Sequence, residues 1–241
     1  MRIFPVTGLP EIREGDDLAA LVTERAALED GDVLVVAQKA VSKAEGRVVR
    51  LDDIEPSPRA HELAVDGEDP RRTEAILREA VEIVRVRPPL LIVETRHGFI
   101  CASAGVDASN APEPGTLALL PLDPDASAAQ IRDRVRELTG ANVGVVVSDS
   151  FGRPWRQGTI DVALGAAGIR VMDDLRGTRD RIGYELKSTQ IAIADELASA
   201  AQLVMGKADG IPVAVVRGLD IAGEGTASEL VMPAERDLFR W

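Results

Sequence analysis

The sequence of 241 residues has one cysteine, Cys101, and few aromatic residues, which make up 3% of the chain. A single cysteine excludes an intrachain disulfide and is typical of proteins in a reducing compartment. No apolar run approaches the roughly 18–20 residues that a membrane-spanning helix needs, and residues 1–5 do not resemble a signal peptide. We therefore expect a cytoplasmic protein whose core is built from Val, Leu, Ile and Ala.

Positive charge is also scarce, because 28 Lys and Arg residues face 40 Asp and Glu residues, for a net charge of -12. This balance argues against a nucleic-acid-binding surface and against docking on an anionic membrane. An acidic protein can still bind phosphate groups through metal ions, a few placed Lys or Arg residues and backbone N–H groups. We therefore expect small-molecule ligands.

Generic nucleotide-binding and hydrolase motifs are missing: GxxxxGK[ST], GxGxxG after a strand, HExxH, GxSxG and CxxC do not occur. A P-loop or Rossmann site is therefore unsupported. Hydrophobic patterns predict strands over 3–6, 32–37, 117–120, 143–147 and 211–216, a hairpin over 90–93 and 99–102, and helices after 17, over 73–84, from about 124 to 138 and over 189–205. Residues 44–70 read as an exposed polar connection with one short helix. This irregular order predicts a mixed α+β fold, one unit over 1–241 that could divide into two subdomains.

The segment 145–158, VVVSDSFGRPWRQG, is the first candidate for chemistry. Asp149 at the tip of a buried strand and the hydroxyl of Ser150 are suitable ligands for a hard cation such as magnesium or manganese. Arg153 and Arg156 follow in an expected loop, where guanidinium groups can clamp phosphate or carboxylate oxygens. The alternative is that Asp149 and Ser150 only cap a turn or helix and that the arginines are solvated.

Two further segments carry polar side chains directly after buried strands. In 103–110, SAGVDASN, Asp107 could share a metal ion with Asp149 if their strands are neighbours; the alternative is a local Asx-turn made by Asp107 and Asn110. In 38–47, QKAVSKAEGR, cations recur every four residues at Lys39, Lys43 and Arg47. Three cations on one side of a helical turn predict a phosphate site, and a solvated helix face is the competing interpretation.

The combination of segments resembles the coenzyme F420-0:L-glutamate ligase (γ-glutamyl ligase) family. The similarity runs from about residue 4 to residue 225, and its most specific parts are AGVDASN, SDSFGR and VSKAEGR. It implies a family-specific fold with mixed and antiparallel sheets in an intertwined homodimer. It also implies use of GTP and two manganese or magnesium ions, with potassium as an additional cation. The implied reaction adds L-glutamate to F420-0, a deazaflavin, and then adds further γ-linked glutamates.

The resemblance also implies roles for individual residues. Asp107 and Asp149 would hold one metal ion and Ser150 a second. The nucleotide would be contacted by Leu9, Pro10, Glu11, Ile12, Gln38, Lys39, Lys43, Asn110, Met205, Gly206, Lys207 and Gly210. Lys207 stands where, in our alignment, archaeal members carry an acidic metal ligand, so the second metal ion would bind more weakly or Lys207 would contact a phosphate. Bifunctional relatives carry a nitroreductase-like C-terminal domain, which we do not expect here.

The expected mechanism activates the acceptor carboxylate as an acyl phosphate, which the glutamate amine then attacks. Lys43, Arg153 and Arg156 are the candidates for stabilising the oxyanions that develop. Two other functions fit the same residues: a metal-dependent nucleotide phosphohydrolase, and a GTP-binding module without catalysis.

Overall fold

A computed structural model describes residues 1–65 and 67–239. Its strands are β1 (Arg2–Pro5), β2 (Val33–Ala37), β3 (Val48–Arg50), β4 (Ala80–Arg87), β5 (Leu90–Thr95), β6 (Ile100–Ala102), β7 (Thr116–Ala118), β8 (Gly144–Arg153), β9 (Arg156–Ala167), β10 (Asp173–Asp174), β11 (Gln190–Ile191) and β12 (Val213–Arg217). Its α-helices are α1 (Leu18–Thr23), α2 (Gln38–Ala44), α3 (Pro58–Leu63), α4 (Pro70–Glu79), α5 (Pro124–Thr139) and α6 (Ile193–Met205).

A five-stranded mixed sheet, in the order β1-β12-β2-β8-β9, forms the centre of the fold. The β2–β8 pair is parallel and the other three pairs are antiparallel. Successive side chains of a strand point to opposite faces, so Leu34 packs with α1, α2 and α5 while Val35 packs with α6. Both faces are covered by helices, which explains why β2 and β8 read as continuous apolar runs.

A second apolar core lies in the segment between α2 and α5. It contains Ile76 of α4, Val93 of β5 and Leu117 of β7. Two small antiparallel sheets, β3–β7 and β4–β5–β6, surround it. The mixed α+β fold class predicted from the sequence is confirmed, as is the hairpin that pairs β5 with β6. No helix among the described residues is long and apolar enough to cross a membrane.

Several element boundaries differ from the predictions. Residues 80–84 were predicted to be helical but lie in β4, because a ladder to β5 and the β-branched residues of this segment outweigh the helical pattern. The connection over 44–70 contains β3, which pairs with β7, and the last helix begins at Ile193 after β11. The segment that carries Arg153 and Arg156 was predicted to be a loop. Most of this segment lies instead in the β8–β9 hairpin, whose turn is formed by Pro154 and Trp155.

One edge of the central sheet gathers several connections of the chain. Strands β1, β2 and β8 run in the same direction, so their carboxyl ends meet there, beside the start of β12. The last β2–β8 pair is Ala37 with Ser148, and α2 begins at the next residue of one strand while Asp149 follows on the other. β8 continues beyond this edge, where it pairs with β9. Ligands of open α/β sheets commonly bind at such carboxyl ends.

Candidate active site

A cavity of about 370 Å³ opens at this edge of the central sheet. All of the residues predicted to contact a nucleotide line it: Leu9, Pro10, Glu11, Ile12, Gln38, Lys39, Lys43, Asn110, Met205, Gly206, Lys207 and Gly210. Two of the three predicted metal ligands, Asp149 and Ser150, line it as well. The structure therefore brings together segments separated by up to about two hundred residues of sequence, although it does not test the role of any of them.

Helix α2 places two lysines in the cavity, one turn apart. Lys39 is almost fully buried, and its ammonium group donates to Asp107 Oδ2 at 2.6 Å and to Ser109 Oγ at 3.3 Å. Lys43 donates to Glu11 Oε1 at 2.5 Å, which ties the helix to the turn at residues 9–12. Each ammonium group donates to a carboxylate, and a phosphate oxygen in the cavity can replace that carboxylate as the acceptor.

Asp107 does not line the cavity but supports it through Lys39. Its Oδ1 accepts from Ser109 N at 2.8 Å, so the Asx-turn interpretation of this loop is also correct. Burial opposes ionisation of Asp107, but the hydrogen bonds from Lys39 and Ser109 outweigh it and lower its pKa to about 2. The metal ion shared by Asp107 and Asp149 stays a prediction. Lys39 is the cation that the structure places against Asp107.

The loop after α6 closes one side of the cavity. Asn110 Nδ2 donates to the backbone carbonyl of Lys207 at 3.2 Å. This hydrogen bond joins the loop that follows the short 3-10 helix Ser103–Gly105 to the loop at 206–210. Gly206 ends α6 with φ +64°, and a Cβ there would lie 2.0 Å from Asp209 Oδ2, so the position accepts only glycine without rearrangement. The charge of Lys207 acts on Asp149, which places this lysine at the cavity and not merely on the surface.

The β8–β9 hairpin supplies the acidic end of the cavity. Burial raises the pKa of Asp149, the charges of Lys39 and Lys207 oppose that rise, and the charge of Asp161 adds to it. Ser150 Oγ donates to Asp161 Oδ1 at 2.6 Å across the hairpin. Among the described residues, no lysine or arginine forms a direct ion pair with Asp149. The cavity thus combines lysines with an oxygen-rich, acidic end at the hairpin, on which Lys39 and Lys207 also act.

The acidic end fits a hard divalent cation. Asp149, Asp161 and the Ser148 and Ser150 hydroxyls offer only oxygen donors, as Mg²⁺ and Mn²⁺ prefer. Gln38 also lines the cavity, and its buried Oε1 has no hydrogen-bond partner among the described residues. No cluster of three or more His, Cys, Asp or Glu side chains suited to a metal ion occurs in residues 1–65 and 67–239. Magnesium does not need one, because it is commonly held by one or two carboxylates, waters and substrate phosphates.

Three predicted cations lie outside the cavity. Arg153 and Arg156 flank the exposed turn of the hairpin, where Arg153 donates to the carbonyl of Gln157 at 2.9 Å. The chain by itself does not bring either arginine to the cavity. Arg47 was predicted to share a phosphate site with Lys39 and Lys43, which is wrong: α2 ends at residue 44, and Arg47 pairs with Glu79 at 2.8 Å.

Asp161 is the residue that the sequence interpretation missed. Asp161 is only 8% exposed, yet it lines the cavity. The available signal was a single carboxylate within the otherwise apolar strand pattern of residues 160–164, IDVAL. Burying a carboxylate without a partner costs folding free energy, so a carboxylate in a buried strand indicates a specific hydrogen-bond donor or cation beside it. Cys101, in contrast, is buried, and burial followed by the nearby Asp149 charge raises its pKa to about 12.

Comparison with known proteins gives consistent results. The family model described as F420-0:gamma-glutamyl ligase matches residues 8–218. A protein of Methanopyrus kandleri named coenzyme F420:L-glutamate ligase is 52% identical over all of this chain and 98% of its own length. Proteins with the same name from Archaeoglobus fulgidus (47% identical, 100% of this chain and 96% of the relative) and Methanocaldococcus jannaschii (46%, 96% and 94%) are similar along nearly their whole length.

Proposed function

This chain belongs to the F420-0:gamma-glutamyl ligase family, and from that premise we propose that it joins L-glutamate to coenzyme F420-0 with GTP as the phosphoryl donor. The observation that carries the proposal is the composition of the cavity, in which lysines and a hydroxyl–carboxylate pair line one space. Such an arrangement suits a polyphosphate that is bound together with a cation. Relatives similar over their full length are named for the same glutamate ligation.

The proposed reaction makes a bond that is uphill in water, so the acceptor carboxylate has to be activated. An oxygen of that carboxylate attacks the γ-phosphorus of GTP, the bond from phosphorus to the β–γ bridging oxygen breaks, and GDP leaves. The glutamate amine, as the free base, then attacks the acyl carbon, and phosphate leaves with the electrons of the C–O bond. An amide, GDP and inorganic phosphate result.

In this scheme the lysines and the oxygen donors of the cavity have different roles. Lys39, Lys43 and Lys207 would bind phosphate oxygens and stabilise the charge that moves from the γ-phosphate to GDP. Asp149 and Ser150 would hold a divalent cation, with Asp107 as an additional candidate ligand if Lys39 moves to a phosphate. Such a cation supplies neutralisation of phosphate charge during phosphoryl transfer. The loops at residues 9–12 and 206–210 would exclude water from the acyl phosphate.

The proposal includes features that the family resemblance implies and the cavity does not address. We expect a homodimer, one or two Mn²⁺ or Mg²⁺ ions with potassium as a further cation, and repeated addition of γ-linked glutamates. Arg153 and Arg156 would then act at the reaction only if the assembled dimer brings the hairpin turn to a cavity. The single cysteine agrees with a cytoplasmic location.

Mass spectrometry of F420-0 after incubation with the protein, GTP, Mn²⁺ and L-glutamate tests the proposal. We expect a mass increase by one or more glutamyl units, loss of product when any component is omitted, and loss of product with Asp149→Asn. GTP hydrolysis that is equally fast without glutamate and F420-0 would indicate a phosphohydrolase instead. Metal-dependent GTP binding without turnover of any kind would indicate a non-catalytic binding module.

A further inference from the structure

Asp161 is a buried carboxylate of the cavity to which the proposed reaction assigns no task. It lies on β9 directly opposite Ser150 of β8. Its position is fixed from several sides: Ser150 Oγ donates to Oδ1 at 2.6 Å, Ser148 Oγ lies 3.5 Å from Oδ2, and Ser199 Oγ of α6 donates to the backbone carbonyl at 2.7 Å. A carboxylate held this way keeps one orientation.

The contact with Asp161 determines what Ser150 can bind. A serine hydroxyl has one proton and two acceptor lone pairs. Ser150 points its single proton at Asp161 Oδ1, which accepts it, so the hydroxyl oxygen has only its lone pairs left to offer. Ser150 therefore cannot donate to a phosphate oxygen in this arrangement. Its remaining partner must be a cation or a hydrogen-bond donor.

The charges around Ser150 indicate which of these two partners it binds. Asp149 precedes Ser150 on β8 and lines the same cavity, so a ligand of Ser150 has two carboxylates nearby. The charges of Lys39 and Lys207 also act on Asp149. The lone pairs of Ser150 and the two carboxylates favour a cation with hard oxygen ligands, and the lysines favour the phosphates that accompany it. We infer that Asp161 is a positioning residue that orients the Ser150 oxygen toward a divalent cation bound with the nucleotide. The inference rests on the proposed function, in which that cation accompanies GTP.

Binding of Mn²⁺ in the presence of GDP, followed by the electron paramagnetic resonance signal of free Mn²⁺, tests this assignment without turnover. Outer partners of metal ligands typically contribute about 10–100-fold to metal affinity. We expect Asp161→Asn to raise the Mn²⁺ Kd at least about tenfold, as Ser150→Ala does. Because Asp161 acts through Ser150, the double variant should bind within about twofold of Ser150→Ala alone, the scatter expected for a fully shared effect.

Asp195 provides a matched control. Its carboxylate also lies beside β9, where it accepts from Ala163 N at 2.9 Å, but it does not line the cavity. Asp195→Asn should leave the Mn²⁺ Kd within about twofold of the unsubstituted protein, the size of effect that independent sites show. If Asp161→Asn fails to fold by circular dichroism, Asp161→Ser removes the same charge with a smaller side chain and is held to the same criteria.

The outcomes separate this inference from the proposed function. An unchanged Kd in folded Asp161→Asn overturns the inference, and so does a double variant whose loss equals the product of the single losses, because Asp161 then acts independently of Ser150. In both cases the unsubstituted protein still binds Mn²⁺ and forms product, so the proposed function stands. If the unsubstituted protein binds no Mn²⁺ with GDP, the metal dependence of the proposed function fails and the inference fails with it.

Discussion

Releasing Lys43 from Glu11 should strengthen nucleotide binding. The Lys43 side chain is 11% exposed and lines the cavity, while Glu11 is 62% exposed and holds its ammonium group at 2.5 Å. A phosphate can use Lys43 only by displacing this carboxylate. Glu11→Gln removes the competing charge, keeps the side-chain size and reduces repulsion of an anionic ligand at the mouth of the cavity.

The magnitude follows from the exposure of the pair. Ion pairs with one well-exposed partner are worth about 0–1 kcal/mol. Removing that competition should lower the Kd of GDP by up to about fivefold, since about 1.4 kcal/mol corresponds to a factor of ten. Added salt screens the interactions of the exposed Glu11 carboxylate. The gain in GDP affinity should therefore shrink between about 0.1 M and 1 M salt, where the Debye length falls from about 10 Å to about 3 Å.

Isothermal titration of GDP in the presence of Mg²⁺ measures the effect. Glu24→Gln is the matched control, because Glu24 is 68% exposed and pairs with Arg25 at 3.1 Å outside the cavity. It should leave the Kd of GDP unchanged. A Kd that rises several-fold in Glu11→Gln would refute the reasoning, because Glu11 would then be a ligand of the nucleotide and not a competitor for Lys43.

Three further predictions concern charge, packing and capping. Lys39→Met should raise the Kd of GDP about tenfold or more in the same titration, because a charge-assisted hydrogen bond contributes about 1.5–3 kcal/mol. Gly165→Ala places a Cβ 2.0 Å from the Pro124 carbonyl oxygen and should lower the free energy of unfolding in urea by about 1–3 kcal/mol, whereas Gly152→Ala, with no atom within 4 Å of the new Cβ, should not. Asp17→Ala removes the cap of α1 and should cost about 1 kcal/mol at pH 7. Burial opposes ionisation of Asp17, but its hydrogen bonds outweigh this and lower its pKa, so its contribution is complete above its ordinary value of 3.8 and is lost as the pH falls below it.

Each of these has a clear contrary result. An unchanged GDP affinity for Lys39→Met would separate that lysine from the phosphates. Equal stabilities of Gly165→Ala and Gly152→Ala would show that α5 can shift freely on β9. A stability difference for Asp17→Ala that persists undiminished at a pH well below 3.8 would mean that the protonated carboxyl group caps α1 as well as the carboxylate does.

The local sequence was sufficient to predict much of the central sheet and the residues that lie at its edge. The apolar runs at β2, β8 and β12 and the spacing of Ile131 and Val135 in α5 follow from periods of two and 3.6 residues, which neighbouring residues set by themselves. Motif resemblance named positions that line one cavity, because it compares whole segments rather than periods. Their roles in binding and catalysis stay predictions.

Pattern failed where a distant partner decided the conformation. Residues 80–84 carry a helical spacing, yet they form β4 because β5 is available to pair with them. The segment 150–158 has the Gly and Pro content of a loop, yet most of it is extended. The end of β8 and the start of β9 lie within it and pair with each other across a turn at Trp155. Hydrogen bonds of a ladder form between strands, so one strand's sequence does not reveal them.

By itself, the sequence determined the fold class, the family and the acidic character that makes local cations necessary for any phosphate ligand. Only the tertiary structure decided which charges meet. Lys39 and Asp107 are 68 residues apart, and Asn110 and Lys207 are 97 apart, yet each pair is in contact. The order of strands in the sheet sets these distances, because it places the carboxyl ends of β2 and β8 side by side and β9 against β8. That same order turns Asp161 from an isolated acid in an apolar strand into the partner of Ser150.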